Sequence, residues 1–215
     1  MHRDSLGNEQ PIRPGEVNWM TTGNGIVHSE RSEPVDRSYE LEGIQLWLAL
    51  PKEHEDVDAS FYHCKEEDVP LIDKDGVQLR LIAGEALGEK SPVPVYSDLF
   101  YLNGEGKAGA KFKLEAQENQ EIAIYVINGA VELAGKNFKR YELVILKQGE
   151  DLDLNFSEDA HVMIFGGEVF PEKRHIWWNF VSTSKDKIGA AKKRWKEGGY
   201  PEVINEKETI PLPED

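Results

Sequence analysis

The stretch RPGEVNWMTTGNGIVHSE, residues 13–30, decides how the rest of the chain is read. Pro14-Gly15 is a tight-turn signal, because proline presets φ and glycine accepts a positive one. Val17 and Trp19 on one side and Ile26-Val27 on the other are β-formers, with a second turn at Thr22-Gly23-Asn24-Gly25 between them. His28-Ser29-Glu30 follows on extended chain. Residues two apart on a strand share a face, so His28 and Glu30 address one point. An imidazole beside a carboxylate suits a first-row divalent metal: Fe(II), Mn(II), Ni(II) or Zn(II). By itself His-x-Glu is weak evidence, since solvent-facing edge strands also carry it.

Outward from this stretch, residues 1–67 read as short β-segments broken by Gly, Pro and Asn turns. Ile44-Gln45-Leu46-Trp47-Leu48-Ala49-Leu50 is nearly all apolar and predicts a strand buried on both faces, stopped by Pro51. Ser60 through Cys64 and Val77 through Ala83 predict two more strands. GEALGEKSPVP, residues 84–94, is the best linker candidate and divides the chain into domains 1–88 and 89–215. In the second half Asn128-Gly129 predicts a β-hairpin between 122–127 and 131–133. Further strands at 142–146, 152–156 and 161–165 have the short spacing of a sandwich or barrel, so the fold class is all-β. The tail changes character: Ser182-Thr183-Ser184 offers a helix N-cap, and Ile188, Ala191 and Trp195 share a face. Basic residues gather toward its C-terminal end, and Gly198-Gly199 terminates it.

The 215 residues carry a net charge of −15, which disfavours direct nucleic-acid binding because phosphates are repelled. No apolar run approaches the roughly 18 residues of a transmembrane helix, and the polar start MHRDSLGNEQ does not read as a signal peptide. The single cysteine, Cys64, leaves no internal disulfide and suits a reducing cytoplasm. It reads as an inert strand residue, as does His63. His54 reads as a loop residue. In Lys173-Arg174-His175-Ile176-Trp177-Trp178 the tryptophans read as packing, one on each strand face, with Arg174 and His175 tying the tail down.

Residues 13–30 closely resemble the second cupin motif of the pirins, including the terminal His-x-Glu. The resemblance continues through LEGIQLWLALP (41–51), DVDASFYHC (56–64), LRLIAGEALG (79–88), SPVPVYSDLFYL (91–102) and FPEKRHIWWNFVSTS (170–184), and so spans nearly the whole chain. It implies a cupin-superfamily bicupin, two β-barrels followed by a C-terminal helix. It also implies a divalent metal, Fe(II) foremost, held by His28 and Glu30 together with an earlier His-x-His pair. No His-x-His occurs in this sequence. The chain therefore looks like a pirin without its first strands, with an incomplete first barrel and half a metal shell. In the family His2 and His161 have no ligand role.

Two functions follow from the resemblance. One is quercetin 2,3-dioxygenase-like oxygen chemistry on a flavonol-like molecule, with Glu30 as catalytic proton acceptor as well as ligand. The other is a non-catalytic regulator that binds a protein partner such as a transcription factor or metabolic enzyme. Neither needs nucleic acid or membrane, and a homodimer covering the incomplete barrel is expected.

Overall fold

The computed structural model describes residues 1–32 and 42–214. Residues 39–41, which lead into the expected apolar strand, fall outside them. The chain divides into two compact units, one formed by Met1–Pro14, Asn18–His63 and Phe170–Asp215, the other by Gly15–Val17 and Cys64–Val169.

The first unit opens with β1 (His2–Asp4), β2 (Glu9–Gln10), β3 (Val17–Thr21), β4 (His28–Glu30) and β5 (Ser60–Cys64). β1 lies between β2 and β4 in a three-stranded sheet, while β3 pairs with β5. The stretch 13–30 is thus strand, turn and strand, but its two strands join different sheets. The turn itself is as expected: Gly25 N donates to Thr22 O at 2.7 Å. Residues 42–50 form no strand, and Ile44, Leu46, Trp47 and Leu48 are 47%, 37%, 55% and 48% exposed. The sequence expectation fails here for a physical reason. A strand buried on both faces needs partners at its edges, and no described strand pairs with it.

The second unit comprises β6 (Leu71–Lys74), β7 (Val77–Ala86), β8 (Glu89–Lys90), β9 (Leu99–Gly106), β10 (Lys111–Leu114), β11 (Gln120–Asn128), β12 (Ala130–Leu133), β13 (Lys136–Lys139), β14 (Leu143–Ile145), β15 (Leu152–Phe156) and β16 (Ala160–Glu168). One sheet runs β14-β11-β16-β9-β7-β6, with β8 added to β7; the other runs β10-β15-β12-β13. Alternate residues of both supply one core, in which Leu79, Leu81, Leu102, Phe112, Ile122, Leu154, Phe156 and Ile164 are almost wholly buried. Gly106 is required at the packing of Phe156, whose ring would lie 2.5 Å from an added Cβ.

Two turn readings change. Asn128-Gly129 does not close a hairpin: β11 pairs with β14 and β16, whereas β12 pairs with β13 and β15. Gly129, at φ 74°, carries the chain from one sheet to the other, where a Cβ would strike Asp159 O. The true hairpin joins β12 to β13 through Ala134-Gly135, both at positive φ. The expected linker 84–94 is likewise built into the sheet. Leu87-Gly88 turns β7 into β8, and β7 pairs with β9, so residue 88 lies inside one compact unit.

The chain then returns to the first unit with β17 (His175–Trp177), β18 (Phe180–Ser182) and α1 (Lys185–Lys196). Ser184 caps the helix by accepting from Lys187 N, as the sequence predicts. Ile188 is its buried anchor, and Gly198, at φ 64°, follows its end. Trp177 and Trp178 do not split across two strand faces. Trp178 sits in the turn at φ 48°, and both rings join Phe180 in one aromatic cluster that Trp195 extends. Arg174 does tie the tail down, donating to Leu50 O at 2.8 Å. Glu55 adds a second knot, accepting from Thr183 N, Ser182 Oγ and Thr183 Oγ1 at 2.8, 2.9 and 3.1 Å.

Candidate functional site

The site begins with a turn. Asp4, wholly buried, accepts from the backbone N–H groups of Leu6 and Asn8 at 2.9 and 3.0 Å and from the Asn8 amide. With Gly7 at φ 89°, this folds β2 back on β1. Ser5 then anchors the approach to β4, its N–H donating to Val27 O and its hydroxyl accepting from Val27 N. The resulting register sets His2 opposite Glu30 and Asp4 opposite His28. Because i and i+2 share a face, four side chains from two strands meet: His2, Asp4, His28 and Glu30.

Within this group His2 is the centre. Its Nδ1 lies 2.9 Å from Glu30 Oε1 and its Nε2 lies 3.2 Å from Asp4 Oδ2. An ionised carboxylate only accepts, so the two contacts together favour the protonated form of His2, in which both ring nitrogens donate. Burial works against that charge, but the hydrogen bonds to Glu30 and Asp4 outweigh it and raise the His2 pKa. The bond from His2 holds Glu30 below the usual carboxylate range. His28 is pushed the other way, by burial first and then by the neighbouring His2, which favours its neutral form. The His2 ring stacks on Phe61 at 4.4 Å and lies 5.6 Å from the His28 ring.

The expected pair His28 and Glu30 is therefore brought to one face, but Glu30 is engaged with His2. Among the described residues no three His, Cys, Asp or Glu side chains are arranged to hold a metal ion. His63 pairs with Asn18 and His161 with Asn103, as structural strand residues. Cys64 is buried, and burial raises its thiol pKa. The donor set of the described residues does not fit a tightly held divalent ion. A cation approaching Glu30 competes with the His2 proton, and two ligands fall short of the three or four usual in protein sites. Sequence reasoning set His2 aside and passed over Asp4. The available signal was the second i, i+2 pair in His2-Arg3-Asp4, which mirrors His28-Ser29-Glu30.

Residues 1–48 match the family description Pirin, and residues 101–201 match Pirin C-terminal cupin domain. A pirin-like protein of Caulobacter vibrioides is 45% identical over 99% of this chain and 74% of its own length. The chain belongs to the pirin family. A candidate quercetin 2,3-dioxygenase of Pseudomonas aeruginosa is 39% identical over 92% of this chain, which spans 62% of that relative. Among solved structures, a quercetin 2,3-dioxygenase from Acinetobacter baumannii superposes with a TM-score of 0.90 at 29% identity, covering 99% of this chain and 71% of that one. The mostly β architecture with one C-terminal helix is thus a pirin cupin fold. A bacterial pirin from Escherichia coli, solved in complex with nickel(II), shares that fold with a TM-score of 0.56 at 16% identity, over 78% of this chain and 67% of its own. The nickel(II) complex shows a metal in that relative of the fold.

Proposed function

We propose that this chain is a pirin of the quercetin 2,3-dioxygenase kind in which His28 and Glu30 are half of a divalent-metal shell. By itself it acts as a binding protein for a protein partner and does not turn over a flavonol. The observation that carries this reading is the 2.9 Å bond from His2 to Glu30. It occupies the carboxylate that would have to serve as ligand and proton acceptor together. The charge of −15 suits a partner with a basic surface, and the buried lone Cys64 suits a reducing compartment such as the cytoplasm. No described helix is long and apolar enough to cross a membrane.

The names of the relatives favour a second reading, a flavonol dioxygenase with Fe(II), or Mn, Ni or Zn in its place, whose shell is completed by further groups. In that reading Glu30 must leave His2. Elemental analysis separates the two, after anaerobic loading with Fe(II), Mn(II) and Ni(II), removal of loose ion, and a quercetin assay in air. The binding reading expects well under one ion per chain and no turnover. About one tight ion per chain, lost in His28→Ala, kept in His175→Ala and accompanied by turnover, would establish the enzyme instead.

A further inference from the structure

After α1 the chain makes a loop that comes back on itself. Gly198, at φ 64°, and Gly199 turn it away from the helix. Tyr200 then packs on Gly25, where an added Cβ would lie 2.7 Å from its ring, and it sits under the Arg194 guanidinium, 5.9 Å from the Trp195 ring. Ile210 returns to the same place, its carbonyl accepting from Trp195 Nε1 at 3.0 Å. Residues 199–210 are thus an Ω-type loop with adjacent ends, and small residues at an element's end are where hinges commonly sit.

The tip of this loop reaches, from behind, the sheet that carries His2, His28 and Glu30. Across β1 and β4 His2 stands opposite Glu30 and Arg3 opposite Ser29, while Glu9 of β2 stands opposite Arg3. Side chains alternate along a strand, so Arg3, Glu9, Ser29 and Arg31 take the face away from the His2–Glu30 pair. On that face Glu206 and Glu208 accept from Arg31 Nε and Nη2 at 2.8 and 2.6 Å. Asn205 donates at 2.9 Å to Glu9, which also receives Arg3. At the other end of β4, Arg194 donates at 3.2 Å to Asn24 O, in the turn that leads to His28. The three residues of β4 are therefore gripped on both sides by the same C-terminal segment.

The two grips differ in kind. The base of the loop is aromatic and stacked, whereas its tip is ionic and wet, with Arg31 45% and Glu208 75% exposed. Exposed ion pairs are individually weak and are screened by salt, so the tip opens first. We propose that residues 199–210 are a hinged strap, closed by the clasp of Glu206 and Glu208 on Arg31, whose opening loosens β4 and with it the placement of His28 and Glu30. The inference stands whatever that site binds.

Two variants of the full chain test it, each read on the side of the clasp that it leaves unaltered. Arg31→Gln keeps the strap sequence, so cleavage by Lys-C after exposed Lys207 reports opening and should be at least tenfold faster than in the wild type. Glu206→Gln/Glu208→Gln keeps β4, and exchange of the Ser29 and Arg31 amides, the latter bonded to Met1 O, should also be at least tenfold faster. The amides of α1 should be unchanged in both. Raising NaCl from about 0.02 to about 1 M should produce both changes in the wild type and add little in either variant. Equal cleavage of the wild type and Arg31→Gln overturns the clasp, and a freed strap with β4 exchange unmoved overturns its hold on the site. Salt acceleration as large in the variants as in the wild type overturns it as well. So does equal acceleration across α1, since the whole unit would then be unfolding.

Discussion

Replacing His2 by alanine should destabilise the first unit substantially and in a pH-dependent way. The side chain is 2% exposed, donates to carboxylates at 2.9 and 3.2 Å, and stacks on Phe61. Hydrogen bonds to charged groups contribute about 1.5–3 kcal/mol each. The bond to Glu30 is discounted because that side chain is 52% exposed. Asp4 keeps its bonds from Leu6 and Asn8 and is not orphaned. The net loss should be about 3 kcal/mol, or roughly 6–12 °C in Tm for a chain of this size. Folding raises the His2 pKa, so its contribution is complete below the ordinary imidazole value and is lost as pH rises through the folded one. Glu30 is lowered, so its share is present above the ordinary carboxylate value and is lost in acid. The gap between wild type and His2→Ala should therefore be widest near about pH 6 and narrow toward about pH 9. Urea unfolding followed by tryptophan emission reads the right unit, because Trp19, Trp47, Trp177, Trp178 and Trp195 all belong to the first. A gap under about 1 kcal/mol at pH 6, or one of equal size at both pH values, would refute the argument.

Glu55→Ala removes an acceptor that is 9% exposed and receives three hydrogen bonds, and should cost about 3 kcal/mol by the same emission assay. Burial opposes the Glu55 charge, but the bonds from Thr183 and Ser182 lower its pKa, so its stabilisation is present above the ordinary carboxylate range and fades as pH falls through the folded value. An acid limb identical in wild type and variant would count against this. Gly106→Ala places a methyl group 2.5 Å from the Phe156 ring and should cost about 1–3 kcal/mol. That loss belongs to the second unit, which has no tryptophan, so it should appear in tyrosine near-ultraviolet dichroism before it appears in emission.

The sequence was most readable where local chemistry alone decides structure. The cap at Ser184, the stop at Gly198 and the alternating strand 152–156 needed no distant partner to be recognised. Reading failed where the outcome depends on what lies alongside. Asn128-Gly129 has the residues of a hairpin, yet the same positive φ serves a passage between sheets, and only the pairing of β11 with β16 separates the two. The apolar run 44–50 has every strand propensity and no described neighbour to pair with. At the site, His28 and Glu30 were visible because they stand two apart on one strand. His2 gains its meaning from lying across from Glu30, a relation of register that sequence spacing does not carry.

The first unit is assembled from segments on either side, in sequence, of the bulk of the second. Its ties are distant in sequence: Thr183 N reaches Glu55 across 128 residues, and Arg31 reaches Glu206 across 175. On a ribosome, the strands that carry His2, His28 and Glu30 emerge before the bulk of the second unit and then wait. The whole of Cys64–Val169 can fold before Phe170 and the helix arrive to lock them. During that interval the strands that carry His2, His28 and Glu30 are the least protected part of the nascent molecule. A pause or truncation near residue 169 should therefore release a well-folded second unit trailing a protease-sensitive N-terminal arm.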